Sequence, residues 1–437
     1  MSARTLNRDL PKNVGRVATV AGWVEVRRDH GKLIFLDIRD RSGIVQVVVT
    51  PKTKEVLKIA ATVRPQWVVE LEGEVKERPA DMKTQKPLGD IELVVQRISI
   101  LAQADELPFD LSTELNLDTY LDHLPLTLRT KRARDIFTLQ ETIIEGFREA
   151  LRAQEFREFQ APTLVGGDAE GGAAAFKVGY YYDKHAYLAT SPQLYKQIMV
   201  GVYERVFSTP KVFRGEKHAT TRHLSEYSSM DFEMGFINDH LDVMRVVEHA
   251  MRHIVGQVGK IHGDLLRRFS VEMPAMASSM PSLKLREAQK ILGVGETPDL
   301  EPEHEREICA WARNEKSSDF LFITHYPVKK RPFYTYEDEA DPGYTKSFDL
   351  LFRGLEITTG GQRIHEYKLL VERIREWNLD PEQFSYYLQA FKYGMPPHGG
   401  SATGLERLTA RMLGLANIKE ATLFPRDLNR IDTQLSK

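Results

Sequence analysis

Residues 202 to 236, VYERVFSTPKVFRGEKHATTRHLSEYSSMDFEMGF, read as a strand, a charged loop and a returning strand. Strands joined so directly must pair antiparallel, because parallel neighbours need a crossover of about a dozen residues or more. From Ala133 onward, helical runs and strand pairs interleave without regular strand–helix–strand alternation. This pattern predicts an antiparallel sheet flanked by helices and argues against a doubly wound parallel one. The loop carries its own message. Arg214, Lys217, Arg222 and two histidines, His218 and His223, crowd together, and Glu226, Asp231 and Glu233 follow on the returning strand. Cations followed by carboxylates suit a phosphate-bearing ligand gripped by side chains, with arginines on phosphates and carboxylates on a divalent cation or an amine. No GxxxxGK[ST] phosphate loop occurs, so a side-chain grip is the mode expected. The two histidines lack a second ligand pair, so a zinc site is not expected.

Residues 1 to 103 have a different texture. VATVAGWVEVRR, KLIFLDIRD and GIVQVVV are short β-rich runs, KEVLKIAATV reads as a helix, and two more strands follow near WVVELEGEVKER and DIELVVQRISIL. That order is the order of an OB-fold barrel. Period-two alternation puts Leu33, Phe35 and Asp37 on one face and Ile34, Leu36 and Ile38 on the other. The first 50 residues carry a net charge of +4 within a chain whose total is −2, so the remainder is acidic. Such barrels commonly bind single-stranded nucleic acid, for which Phe35 could stack, Arg28 meet phosphate and Gln46 a base edge, while a lone phenylalanine in a strand more often belongs to the core.

At 437 residues the chain exceeds the usual single-domain size. Residues 104 to 132 are polar, rich in turn formers and without sustained period, as expected of a connection between the barrel and a domain spanning 133 to 437. The overall expectation is α+β. Cys309 is the one cysteine, and no apolar run approaches the roughly 18 residues of a membrane span, so a cytosolic protein without a membrane partner is expected.

Several motifs carry a resemblance. Phe213-Arg214-x-Glu216, then Thr221-Arg222-His223-Leu224-x-Glu226, resembles motif 2 of class II aminoacyl-tRNA synthetases, and Gly404-Leu405-Glu406-Arg407 resembles their motif 3. The helical run ending at Gln154, followed by EFREFQAP, is similar to motif 1, which in that family builds a dimer interface. SPQLYKQ (191 to 197), EGG (170 to 172), GLEITTGGQR and LFPRD resemble the aspartyl branch in its compact, archaeal-type form, and the likeness runs from about Val17 to Arg430.

That resemblance implies ATP-dependent activation of L-aspartate to an aspartyl-adenylate and transfer to the 3′-end of tRNA by a homodimer. It implies that Arg214 bridges the amino-acid carboxylate and the α-phosphate, that Arg407 holds the γ-phosphate, and that Glu216, Arg222, His223, Leu224, Gly404, Leu405 and Glu406 surround the nucleotide. Glu356 and Thr359 would hold Mg²⁺. Lys196 and Arg363 would receive the substrate's side-chain carboxylate, with Ser191, Gln193, Asp231 and Thr359 orienting it, Asp231 facing its ammonium, and Glu170 on a closing loop. Lys196 with Asp231 favours aspartate, since an asparagine-specific relative would lack this lysine and carry Glu at 231. Arg28, Phe35 and Gln46 would meet the anticodon of tRNA(Asp). Two alternatives remain: an enzyme that also charges tRNA(Asn), and a catalytically impaired RNA-binding paralogue. The chain departs from the family pattern at Glu155, Ala173 to Ala175, Thr190, and Ser401, Ala402 and Thr403, the last three standing where glycines and an apolar residue are usual.

Overall fold

The computed structural model describes residues 3–52, 54–167, 175–217 and 220–435. Two compact units divide at Thr113 and Glu114.

In the first unit, among the described residues, β1 (Val17–Asp29), β2 (Ile34–Asp40), β3 (Gly43–Val49), β4 (Val68–Glu77) and β5 (Ile91–Ala102) close a barrel in the order β1-β2-β3-β5-β4. The helix Lys54–Thr62 stands between β3 and β4. Alternation turns Ile34, Leu36, Ile38, Val45, Val47, Val69, Leu71 and Leu93 into the interior. Each such side chain contributes about 1.5–3 kcal/mol by burial, which is what selects this register over a one-residue slip. β1 serves two partners, pairing with β4 over Val17 to Trp23 and with β2 from Trp23 onward, so it must bend. Gly22 stands at that bend, where an added Cβ would lie 2.1 Å from the Arg39 carbonyl oxygen.

The second unit is built on a nine-stranded sheet among the described residues. Its order is Ser282–Lys284, Phe320–Thr324, Ser347–Phe352, Glu356–Arg363, His398–Gly404, Glu226–Gly235, Arg205–Ser208 and Arg157–Glu158, with Lys211–Phe213 also paired to Glu226–Gly235. Pairing is antiparallel except at the two outermost contacts. Helix Lys131–Arg152 and the long helical stretch His240–Arg268, kinked at His262, supply the apolar layer. Ile136, Leu139, Ile143 and Phe147, the stripe expected from the sequence, are all buried in one cluster with Phe207, Phe232, Val247 and Ile254. Residues 114 to 132, read from the sequence as connecting chain, lie in this unit and form short helices at Leu117–Asp122 and Leu124–Thr127.

Glu155 has a physical signature. Helix Lys131–Arg152 ends with the Phe156 N–H donating to Leu151 O at 3.1 Å and the Glu155 N–H to Arg152 O at 3.0 Å. In this Schellman arrangement the residue at 155 is left-handed, with φ +65°. Glycine takes that conformation without steric cost, which accounts for its use there in the family motif, and Glu155 bears the strain here. No helix among the described residues is long and apolar enough to cross a membrane.

Candidate active site

One row of the sheet runs in register through Ser208, Asp231, Ala402, Thr359 and Asp349, so these side chains share a face. The neighbouring row contains Glu233, Gly400, Gly361 and Ser347. An added Cβ at Gly400 would sit 2.2 Å from Glu233 Oε2, so the glycine is what admits that carboxylate. Above this face opens a cavity of about 340 Å³. Among the sequence-predicted positions, Ser191, Gln193, Lys196, Arg214, Glu216, Arg222, His223, Leu224, Glu356, Thr359, Arg363, Gly404, Glu406 and Arg407 all line it. Asp231 and Leu405 are buried and do not reach its wall. Glu170, His218, Ala173 and Ala174 lie outside the described residues.

At one end, helix Gln193–Tyr203 presents Gln193, Lys196 and Gln197 on one turn-related face, all buried. Lys196 is 1% exposed. Its Nζ donates to Asp231 Oδ2 at 2.9 Å and to Ser401 O at 3.1 Å, and lies 3.4 Å from Glu233 Oε2. Arg363 donates from Nε to Glu233 Oε1 at 2.9 Å and from Nη2 to Gly400 O at 2.9 Å. The two cations are therefore matched by two carboxylates. Burial would raise the Glu233 pKa, but Arg363 and Lys196 outweigh it and hold the group below its ordinary value. Ser229 Oγ bonds the other oxygen of Asp231.

At the other end, Arg407 Nη1 donates to Glu356 O at 3.0 Å and lies 3.5 Å from its Oε1. Burial opposes ionisation of Glu356, yet Arg407, Arg331 and Arg214 keep its pKa below the usual range. Thr359 Oγ1 is 2.7 Å from Asp349 Oδ1 and 3.2 Å from Glu356 Oε1. Asp349 accepts from Arg331 Nη2 at 2.7 Å, while burial and the nearby Glu356 charge raise its pKa. Two adjoining carboxylates bridged by a hydroxyl form a hard-oxygen set of the kind that suits a divalent cation.

The loop closing motif 2 is pinned at its base by Arg214 N–H to Ser225 O at 2.9 Å. Arg214 is half-exposed, 3.7 Å from Glu216 and over the Tyr227 ring at 5.6 Å. Arg222 bonds Glu305 of helix Pro302–Lys316, whose pKa burial pushes up to about 7. Glu406 accepts the Ser228 N–H at 3.0 Å and so ties the motif 3 helix to the strand Glu226–Gly235. Of the three departures in motif 3, only Ala402 lines the cavity; Thr403 Oγ1 meets Thr358 Oγ1 at 2.7 Å in the interior, and the Ser401 hydroxyl is buried.

Sequence reasoning counted Glu233 among the carboxylates of the returning strand without giving it a role, and did not place Asp349, Arg331, Glu305 or His398 at the site. Glu233 had a signal, since it stands two residues beyond Asp231 on one strand and must share its face. Asp349 and Glu356 come from adjacent strands of one hairpin, but the register shift between Leu350 and Leu351 hid their proximity. Arg331 and Glu305 arrive from remote segments.

The imidazole of His398 is wholly buried, and burial pushes its pKa down to about 4. A group whose folded pKa is depressed binds fewer protons than the unfolded chain, so its contribution to stability is complete above about pH 6.5 and is lost as pH falls toward 4. At pH 5.5 an ordinary histidine is about 90% protonated, whereas His398 is expected to remain neutral. ¹⁵N imidazole shifts recorded at pH 7.5 and 5.5 check this; a His398 that titrates alongside the exposed histidines would contradict it.

In the barrel, Arg28, Phe35 and Gln46 share the outer face, Arg28 opposite Phe35 and Gln46 opposite Asp37. Arg28 forms a two-pronged pair with Asp37, at 2.9 and 2.7 Å. Phe35 is half-buried, with its ring edge-on to His30 at 5.5 Å.

Residues 116–428 match the family "tRNA synthetases class II (D, K and N)", and residues 18–101 match "OB-fold nucleic acid binding domain". The chain is 44% identical to the aspartate–tRNA(Asp/Asn) ligase of Thermus thermophilus, over 98% of this chain and 99% of that one. It is 38% identical to the aspartate–tRNA(Asp) ligase of Pyrococcus abyssi, over 95% and 96%. Among solved structures, the asparaginyl-tRNA synthetase of Pyrococcus horikoshii complexed with asparaginyl-adenylate superposes with a TM-score of 0.91 at 32% identity, over 99% of this chain and 100% of that one. The aspartyl-tRNA synthetase of Entamoeba histolytica gives 0.85 at 29% identity, over 98% and 92%.

Proposed function

The chain belongs to the class II tRNA synthetases of the aspartate, lysine and asparagine group, and we propose that its cavity joins L-aspartate to ATP and passes the aspartyl group to tRNA. The observation that carries this reading is the convergence of Lys196, Arg363, Arg214 and Arg407 on one cavity; an acidic amino acid would sit at the first pair and a triphosphate at the second. Two anions must meet for the first step. An aspartate α-carboxylate oxygen forms a bond to the α-phosphorus, and the bond from that phosphorus to the bridging oxygen of pyrophosphate breaks. Arg214, between the two ends, neutralises both anions and its planar fork fixes their approach. Arg407 holds the terminal phosphate, Glu216, Arg222, His223 and Leu224 border the nucleotide, and Lys196 and Arg363 face the side-chain carboxylate. In the second step a hydroxyl of the 3′-terminal ribose takes the acyl carbon and AMP leaves. Glu356, Asp349 and Thr359 would hold Mg²⁺, which supplies positive charge between phosphates.

Aspartate is favoured over asparagine because two cations, Lys196 and Arg363, line this end of the cavity, and because Lys196 with Asp231 fits the aspartyl pattern. Aspartate-dependent exchange of pyrophosphate into ATP, with none supported by asparagine, is the expected result; exchange with asparagine alone overturns the reading.

A second reading, in which tRNA(Asn) is also charged, is favoured by the 44% identity to the aspartate–tRNA(Asp/Asn) ligase of Thermus thermophilus. Charging of tRNAs that differ only in the third anticodon base decides between the two. We further propose that the enzyme is cytosolic and dimeric through helix Lys131–Arg152, where Phe137, Glu141, Ile144, Glu145 and Arg148 border an open groove.

The role given to the barrel has its own test. Phe35→Ala is expected to lower kcat/KM for tRNA by about 10-fold or more, the worth of one stacked base, while leaving pyrophosphate exchange unchanged. Steady-state charging beside exchange measures both, and equal loss in the two assays would make the ring structural.

A further inference from the structure

The hairpin of strands Lys177–Gly179 and His185–Leu188 ends in Tyr180, Tyr181 and Tyr182, which the site described above does not use. Tyr180 is 50% exposed, Tyr181 73% and Tyr182 92%, so three large rings stand together in water. The Tyr180 and Tyr181 rings meet edge to face at 5.0 Å. Tyr182 and Asp183 are both left-handed, with φ +58° and +54°, and the Lys184 N–H donates to Tyr181 O at 3.3 Å to close the turn. Turns of this kind are ordinarily filled by asparagine, aspartate or glycine, because a side chain as large as tyrosine is strained there. Packing within the fold does not offset that strain, since the Tyr182 ring is almost fully exposed. The rest of the tip is polar: Lys177, Lys184 and His185 are exposed with the rings, against one carboxylate, Asp183.

This tip is tied to the cavity. The second strand of the hairpin runs on through Ala189 to Thr190 and Ser191, which line the cavity wall. Ala189 is anchored on both sides, its N–H donating to Thr163 O at 2.8 Å and its carbonyl accepting the Phe213 N–H at 2.9 Å. The rings are therefore carried on a frame fixed to the strand that leads into motif 2. A tRNA whose terminal ribose reacts in this cavity must bring the nucleotides behind that ribose across the surrounding surface. Exposed rings beside cations suit unpaired bases and their phosphates, because every base has a face to stack. In a duplex those faces already stack on one another, so a paired stem could not use the rings. We propose that Tyr180, Tyr181 and Tyr182 form a platform on which unpaired bases at the 3′-end of tRNA stack as that end approaches the cavity, with Lys177 and Lys184 meeting its phosphates. The inference rests on the aminoacylating reading above and adds to it where the acceptor end is steadied.

The test uses the full chain and compares intact tRNA(Asp) with the same RNA trimmed of its unpaired 3′-terminal nucleotides. Tyr181→Ala combined with Tyr182→Ala is expected to weaken binding of intact tRNA about 10- to 100-fold and to lower kcat/KM for charging in parallel. Binding of trimmed tRNA and aspartate-dependent pyrophosphate exchange should change by less than about twofold, since neither engages the platform. Tyr181→Phe with Tyr182→Phe keeps the rings and should stay within about twofold of wild type in every assay. Tyr182→Gly relieves the left-handed position, so it should melt no lower than wild type while still weakening intact tRNA about fivefold or more. Intact and trimmed tRNA weakened alike, or a phenylalanine variant as weak as the alanine one, overturns the proposal. Intact tRNA bound as well as before overturns it too, and leaves a protein partner as the occupant of the rings. A wild-type enzyme without aspartate-dependent exchange would instead overturn the assigned activity, so the two failures are distinguishable.

Discussion

Lys196→Met is expected to lower kcat/KM for aspartate in pyrophosphate exchange by about 10²- to 10³-fold and, in the same protein, to cost about 3–5 kcal/mol of stability. Were Lys196 a substrate countercharge alone, its loss would spare the fold. The structure changes that, because Lys196 Nζ is the shared partner of two fully buried carboxylates, Asp231 and Glu233. Methionine fills the volume and removes the charge, leaving Arg363 as the remaining cation bonded to Glu233 and none bonded to Asp231. One of the acids must then take up a proton or disrupt the sheet row it belongs to. Denaturant titration beside exchange kinetics measures both effects. Near-normal aspartate kinetics would remove Lys196 from the substrate site, and unchanged stability would mean that the two carboxylates are not held ionised.

Arg214→Ala should separate these effects in the opposite way. The expected loss is about 10²–10³-fold in kcat for adenylate formation, the scale measured when one preorganised donor to a developing charge is removed. Stability should change by less than about 1 kcal/mol, because the contacts of this half-exposed side chain with Glu216 and the Tyr227 ring are each weak. Arg214→Lys should recover only part of the rate, since an ammonium supplies charge without the fork. A variant that loses stability and activity together, or that keeps its rate, would place the arginine elsewhere in the mechanism.

Much of the architecture is legible because it rests on local periodicity. The alternation of Ile34, Leu36 and Ile38 against Phe35 and Asp37 fixes which face of β2 enters the barrel, and the stripe from Ile136 to Phe147 fixes the buried side of the first long helix. The motif residues could be grouped by resemblance, and most of them do share one cavity. The partners of those residues could not be read. Glu233 needed its strand register, Asp349 needed a bulged hairpin, and Arg331 and Glu305 come from segments with no local signal.

From its residues alone this chain determined its two folding patterns, its antiparallel character and the kind of ligand its cations and carboxylates suit. Those properties depend on side-chain chemistry and on spacing within single elements, which the linear order records directly. What the tertiary structure decided is how the charges compensate: that Lys196 is already matched by Asp231 and Glu233, and that Asp349 joins Glu356 through Thr359. Pairing energies fall with distance and rise with burial, and both quantities exist only once strands remote in sequence lie side by side.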